Sequence, residues 1–187
     1  MDKIDKIKIK HILNKCDGEK YLSRNDLEGF YEKIYEEFGD LITSSDITEF
    51  LIEKGINPLN YLVSKIPCAM FFGMDLPNIV IDEINLKLPN KIKTIEYYAF
   101  GNTFGYETID LRGIETIEEN AFLNSLCSSI IVNGSFKYID KLAFKNCTIK
   151  NIYIDDSKVD FEKIKQFILQ SIEWEHVPHF DKIRRIN

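Results

Sequence analysis

One interval dominates this chain: Ile95-x3-Ala99-Phe100, Ile117-x3-Ala121-Phe122 and Ile139-x3-Ala143-Phe144 recur every 22 residues. Three of the chain's four alanines occupy that register. It also contains 29 isoleucines, a bias that points to an AT-rich genome more than to a fold. An apolar triplet follows each phenylalanine after eight or nine residues: Ile109-Asp110-Leu111, Ile130-Ile131-Val132 and Ile152-Tyr153-Ile154. A more degenerate copy runs from Ile66 through Met70-Phe71 to Ile79-Val80-Ile81. A unit this short cannot bury its own apolar side, so successive units must stack into one core. The expected architecture is α/β, a short right-handed solenoid in which strands near residues 79–81, 109–111, 130–132 and 152–154 form one parallel ladder. Alanine suits a place where backbone passes close to backbone, and Phe122 belongs in the central layer of the core. Alternation along the strands turns Ile109, Leu111, Ile130, Val132, Ile152 and Ile154 inward.

With that register in view, the chain resembles the BspA-type leucine-rich repeats, whose units read approximately I-x-x-I-x-x-x-A-F-x-N-C-x-x-L-x-x-I-x-I. The best match is the stretch Ile139 to Ile154, which includes Asn146-Cys147; only this last unit keeps Asn-Cys intact. The resemblance implies a leucine-rich-repeat solenoid over about half the chain and a surface that binds a protein. Cys147 fills a small apolar gap in the Asn-Cys turn, and Cys127 lies close to the matching position. The copy at Phe100 has one extra residue before its strand, and Asp82 to Asn90 is about seven residues longer than the later linkers. A bulge and a local extension of the first turn are expected there.

The flanks follow a helical period. Ile4, Ile7 and Ile12 mark one segment; Leu27, Phe30, Tyr31, Ile34 and Phe38 mark another at spacings of three and four. Ser45-Asp46-Ile47-Thr48-Glu49 opens a further helix that Gly55 closes, and Asn57-Pro58-Leu59 starts one more. The run from Asp46 to Leu59 is similar to leaders of bacteriophage repeat proteins. After Asp155 the repeat is not expected to return; Val159, Phe161, Ile164, Phe167 and Ile168 outline an amphipathic helix suited to close the solenoid. The expected organisation is an amino-terminal helical cap (residues 1–65), the solenoid (66–155), and a carboxy-terminal capping helix and tail (156–187).

Little in the chain suggests chemistry. Its formal charge of −6 is spread along the sequence without a basic patch, which disfavours direct nucleic-acid binding. No stretch approaches the roughly 20 apolar residues of a membrane helix, and Met1-Asp2-Lys3-Ile4-Asp5-Lys6 does not open a signal segment, so a bacterial cytoplasm is expected. Cys16, Cys68, Cys127 and Cys147 show no C-x-x-C spacing and are expected as free thiols. His176 and His179 are three apart beside Glu175, a pair that would serve zinc only with further ligands; an exposed tail is the simpler reading. His11 reads as a surface residue. No phosphate loop, G-x-S-x-G or H-E-x-x-H sequence occurs. The expectation is a protein without cofactor, metal or catalytic residues.

The outward row of the ladder is the candidate binding face: Asn78, Val80 and Asp82; Thr108, Asp110 and Arg112; Ser129, Ile131 and Asn133; Asn151, Tyr153 and Asp155. Val80, Ile131 and Tyr153 would be apolar anchors within a polar rim. A second row, Glu96, Glu118 and Asp140, places one acid per turn and would attract a basic partner. The leading functional expectation is a non-enzymatic protein-interaction module. Its most concrete form is a phage-encoded factor that blocks a host defence protein, of anti-CRISPR type. The alternatives are a structural or adhesive repeat protein, and an enzyme or metal-binding protein using the tail histidines.

Overall fold

The computed structural model describes residues 26–38, 42–77, 80, 85–155, 160–178 and 180–186, together with Ile7 and His11. The expected segment marked by Ile4 and Ile12 lies outside the described residues. Helix α1 (Leu27–Phe38) buries Leu27, Phe30, Tyr31 and Ile34 at helical spacing. Helix α2 (Ser44–Glu53) starts one residue before the expected Ser45, because Thr43 forms a capping box with Asp46. Gly55, at φ 74°, follows its end. Asn57 then caps a 3-10 turn, Pro58–Tyr61.

From here two parallel ladders run side by side. Two-residue strands β1 (Lys65–Ile66), β3 (Thr94–Ile95), β5 (Thr116–Ile117) and β7 (Tyr138–Ile139) pair in that order. Strands β2 (Asn85–Lys87), β4 (Thr108–Asp110), β6 (Ser129–Val132), β8 (Asn151–Asp155) and β9 (Lys182–Ile186) form the second sheet, also parallel throughout. Helix α3 (Phe161–Ser171), capped by Asp160, stands between β8 and β9. The short first ladder was not anticipated, since only one residue in each of its strands, the isoleucine, turns inward.

Between the ladders the phenylalanines form a continuous spine. Phe71, Phe100, Phe122 and Phe144 stack with centroid separations of 5.1, 5.3 and 5.0 Å and nearly parallel rings. Ala99, Ala121 and Ala143 are fully buried, and their carbonyls accept the amides of Phe71, Phe100 and Phe122 at 2.7–2.8 Å. A larger side chain there would hold adjacent coils apart. Two residues after each phenylalanine the chain turns through a left-handed residue: Gly73, then Asn102, Asn124 and Asn146. Asparagine tolerates this conformation better than other side chains with a Cβ. Here it also forms a ladder, Asn146 Nδ2 donating to Asn124 Oδ1 and Asn124 Nδ2 to Asn102 Oδ1, at 3.0 and 2.8 Å. The residue after each of these asparagines is small and buried: Thr103, Ser125 and Cys147. Ser125, not Cys127, is therefore the counterpart of Cys147; Cys127 is buried two residues further on.

Two strand expectations are corrected. Val80 sits in a turn, its amide bonded to the Pro77 carbonyl at 2.8 Å, and is only 6% exposed. The strand that pairs with β4 is Asn85–Lys87, with Leu86 opposite Ile109. Ile79, Ile81, Asn78 and Asp82 lie outside the described residues. The tail is not a free end: β9 pairs with β8 over five residues, Asn151 opposite Lys182 and Tyr153 opposite Arg184. The repeat thus returns in the backbone, 31 residues on instead of 22, because α3 is inserted before the coil closes. Its apolar pattern is too thin to read, since Arg185 occupies the inward register opposite Ile154 and covers the Phe161 ring at 4.9 Å.

Candidate partner-binding face

The outward face of the larger sheet is built by alternation. Ile130, Val132, Ile152 and Ile154 are buried, whereas Ile131 and Tyr153 between them are half-buried. Parallel register places Asp110, Ile131, Tyr153 and Arg184 in one transverse row, which Lys87 begins on β2. The row beside it contains Asn85, Thr108, Ser129, Asn151 and Lys182. The face is therefore one strand wider at the carboxy-terminal side than its sequence suggested. Lys182 and Arg184, both exposed, were missed because Ile183 and Ile186 are spaced three apart and do not advertise a strand.

Electrostatically the centre of this face is closed on itself. Arg112 binds Asp110 in bidentate fashion, Nε to Oδ1 at 2.9 Å and Nη2 to Oδ2 at 2.7 Å. Its Nη1 reaches across β6 to Asp155 Oδ2 at 3.0 Å. Hydrogen bonds to Asp110 and then Asp155 push the guanidinium further above its already high value. This arginine clamp ties β4 to β8 across β6 beside Ile131 and Tyr153. Asn133 is also partly committed: its Oδ1 accepts the Gly113 amide at 3.2 Å and the Ser135 hydroxyl at 2.6 Å. Val80, the first-strand anchor expected from the sequence, is absent from the face because it is buried.

The acidic row belongs to the turns at the end of the short ladder. Glu96 Oε2 accepts the amide of Cys68 and Glu118 Oε2 that of Tyr97, each at 3.1 Å and each one coil back. Glu96 also pairs with Lys65 at 3.0 Å. Asp140 is one methylene shorter and binds within its own coil, to the Leu142 amide and the Tyr138 hydroxyl, both at 2.8 Å. The regular spacing of these acids is explained by the amides they satisfy.

The buried carboxylate of Glu28 makes the corresponding contact at the start of the solenoid, and sequence reasoning did not single it out. In later coils two successive amides share one carbonyl of the coil before: Lys93 and Thr94 on Ser64, Glu115 and Thr116 on Lys93, Lys137 and Tyr138 on Glu115. Ser64 and Lys65 have no preceding coil. Their amides, with that of Val63, converge on Glu28 Oε1 at 2.6, 2.8 and 2.7 Å. One carboxylate oxygen stands where a repeat's carbonyl would be.

Around the expected histidine pair, Glu173, Glu175 and His176 bring one ligand atom each within 4.8 Å of one another. Glu173 is already bound by Lys141 at 2.8 Å, which holds its carboxyl below the ordinary range. His179 lies outside the described residues. Burial pushes the Cys147 thiol up to about 12 and raises Cys127 further; Cys68 is raised by burial and by Glu96 and Glu118. Each of these three is thus held in its unreactive protonated form near neutral pH. Among the described residues no helix is long and apolar enough to cross a membrane.

Stacked coils with a parallel ladder, an asparagine turn and a phenylalanine spine define a leucine-rich-repeat protein, a class that generally serves protein–protein interaction without catalysis. The family described as BspA type leucine rich repeat region (6 copies) matches residues 58–173, and the chain belongs to it. No curated protein and no solved structure gives a match.

Proposed function

We propose that this chain binds a protein partner through the outward face of the five-stranded ladder, with Ile131 and Tyr153 as anchors and Asp110, Arg112, Asn133 and Asp155 as its polar rim. The carrying observation is the alternation that leaves these two apolar side chains partly accessible among buried neighbours. Arg184, opposite Tyr153, extends the rim. The acids Glu96, Glu118 and Asp140 contribute at the margin as a row of negative charge, although the oxygens of Glu96 and Asp140 already accept hydrogen bonds or pair with Lys65. The narrower reading is a phage-encoded cytoplasmic protein that blocks a host defence protein, of anti-CRISPR type; the leader-like run from Asp46 to Leu59 supports it.

Ile131→Asp combined with Tyr153→Ala tests the face. Melting temperature should stay within a degree or two of wild type, while capture of a partner from a bacterial lysate should weaken at least about tenfold, or about 1.4 kcal/mol. Capture that survives with folding intact would move the site off the ladder. For the narrower reading, the wild-type chain should relieve CRISPR interference against a plasmid in a defended strain and the double variant should not. Interference unchanged by the wild-type chain would count against that role alone.

A further inference from the structure

A second surface lies at the other end of the molecule, where α1, the start of α2 and the first coil enclose a cleft of about 510 Å³. Its walls are mainly apolar, formed by Tyr31, Ile34, Tyr35, Ile42, Ile47 and Pro67. The polar groups at its floor are already satisfied: the Tyr31 hydroxyl pairs with Thr48 Oγ1, and Glu28 Oε1 takes three amides. Three carboxylates line the cleft, Glu28, Glu32 and Glu96, against the single ammonium of Lys65. Lys65 Nζ lies 3.3 Å from Glu32 and 3.0 Å from Glu96. Glu32 is 65% exposed, and its second oxygen faces no cation among the described residues. Glu36, one turn along α1, is exposed as well.

The apolar surface continues past the cleft. Ala69, on its wall, donates its amide to the Tyr97 carbonyl at 3.0 Å. Tyr97 is 41% exposed; Tyr98 packs edge-on against both Tyr97 and Phe72, which is 38% exposed. Tyr35 on the opposite rim is 73% exposed. Exposed aromatic residues gathered around an apolar recess are the composition of an interaction hot spot. Exposed aromatic rings thus stand both at the cleft, in Tyr35, and beyond its lining, in Tyr97 and Phe72, and the excess of carboxylates selects for positive charge.

From this we infer that the cleft takes a polypeptide segment of a partner protein, one that seats an aliphatic side chain against the exposed ring of Tyr35 and sets an adjacent lysine or arginine against Glu32. This site is independent of the ladder face. It is tested by following the isotopically labelled full chain by NMR while adding acetyl-Ile-Lys-Ile-amide or acetyl-Ile-Glu-Ile-amide. The lysine peptide should shift Tyr35, Ile47 and Cys68 and bind at least about tenfold tighter than the glutamate peptide. Glu32→Gln should lower the affinity for the lysine peptide alone, about threefold, as expected for a solvent-exposed pair. Tyr35→Ala, at a side chain that is mostly exposed, should weaken both peptides. Equal binding of the two peptides, shifts confined to the ladder, or unchanged spectra at millimolar lysine peptide would each overturn the proposal. Hexylammonium binding as tightly as the lysine peptide would overturn the assignment to a polypeptide.

Discussion

The two ends of the solenoid solve the same problem differently. At the amino-terminal end the first coil lacks a predecessor, and one oxygen of Glu28 replaces the missing carbonyl for Val63, Ser64 and Lys65. At the carboxy-terminal end the backbone simply continues. The amides of Asp181 and Lys182 share the Lys150 carbonyl, as those of Lys150 and Asn151 share that of Ser128. Asn146 donates to His176 in the series that links Asn102 to Leu123 and Asn124 to Lys145. At one end the unpaired amides are therefore satisfied by a single side chain of α1, at the other by a further coil whose apolar content has decayed. A cap concentrated in one residue should be fragile to substitution, whereas a distributed one should erode gradually.

The largest effect should come from the element both ends share. Phe122→Ala removes the middle of the ring spine and should cost about 3 to 5 kcal/mol in denaturant unfolding. A loss below about 1 kcal/mol would mean that the spine does not join the ends into one unit. Next, Glu28→Ala leaves three backbone amides without their acceptor and should cost roughly 3 kcal/mol, whereas Glu28→Gln, which keeps an oxygen, should cost roughly 1. Equal effects of the two substitutions would show that charge, not the acceptor, makes the cap.

Truncation after Asp181 should cost less, about 1 to 2 kcal/mol, the worth of a partly buried Ile183 and the Arg185–Phe161 contact. A loss larger than that of Glu28→Ala would reverse the ranking of the two ends. The smallest effect concerns the exposed Lys141–Glu173 pair. Its hydrogen bond to Lys141 holds the Glu173 carboxyl below the ordinary value of 4.5. The stabilisation is then complete above that value and disappears as pH falls through the lower folded-state value. The melting-temperature difference between wild type and Glu173→Gln should accordingly be present at pH 6 and vanish in strong acid; a difference that grows on acidification would contradict the pairing.

The middle of the fold was the part most open to reading. Ala-Phe recurs because each alanine meets the preceding coil's backbone and each phenylalanine stacks on its neighbours, so both identities are constrained in the three regular turns. Strand positions near Ile109, Ile130 and Ile152 follow from the same register. The first strand was misplaced because Ile79-Val80-Ile81 looks more strand-like than Asn85-Leu86-Lys87, where one inward leucine suffices. Strand β9 was hidden for a related reason: a terminal strand has a core on one side only, so Arg185 is tolerated at an inward position over Phe161. Of the candidate site, Ile131 and Tyr153 were visible through alternation. The interstrand clamp of Arg112 and the amide contacts of Glu96 and Glu118 depend on pairing between distant residues and could not be read from spacing. Glu28 was equally silent, since a buried carboxylate and a solvated one look alike in a helical sequence.

Continuity of the coil from Glu28 to β9 is most directly tested by interstrand NOEs across the larger sheet. The row Lys87, Asp110, Ile131, Tyr153 and Arg184 should give a single parallel pattern, with Tyr153 contacting both Ile131 and Arg184. A spectrum in which Tyr153 contacts Ile131 but nothing between Lys182 and Ile186, or in which the last pair is antiparallel, would contradict the terminal coil and the width of the proposed binding face.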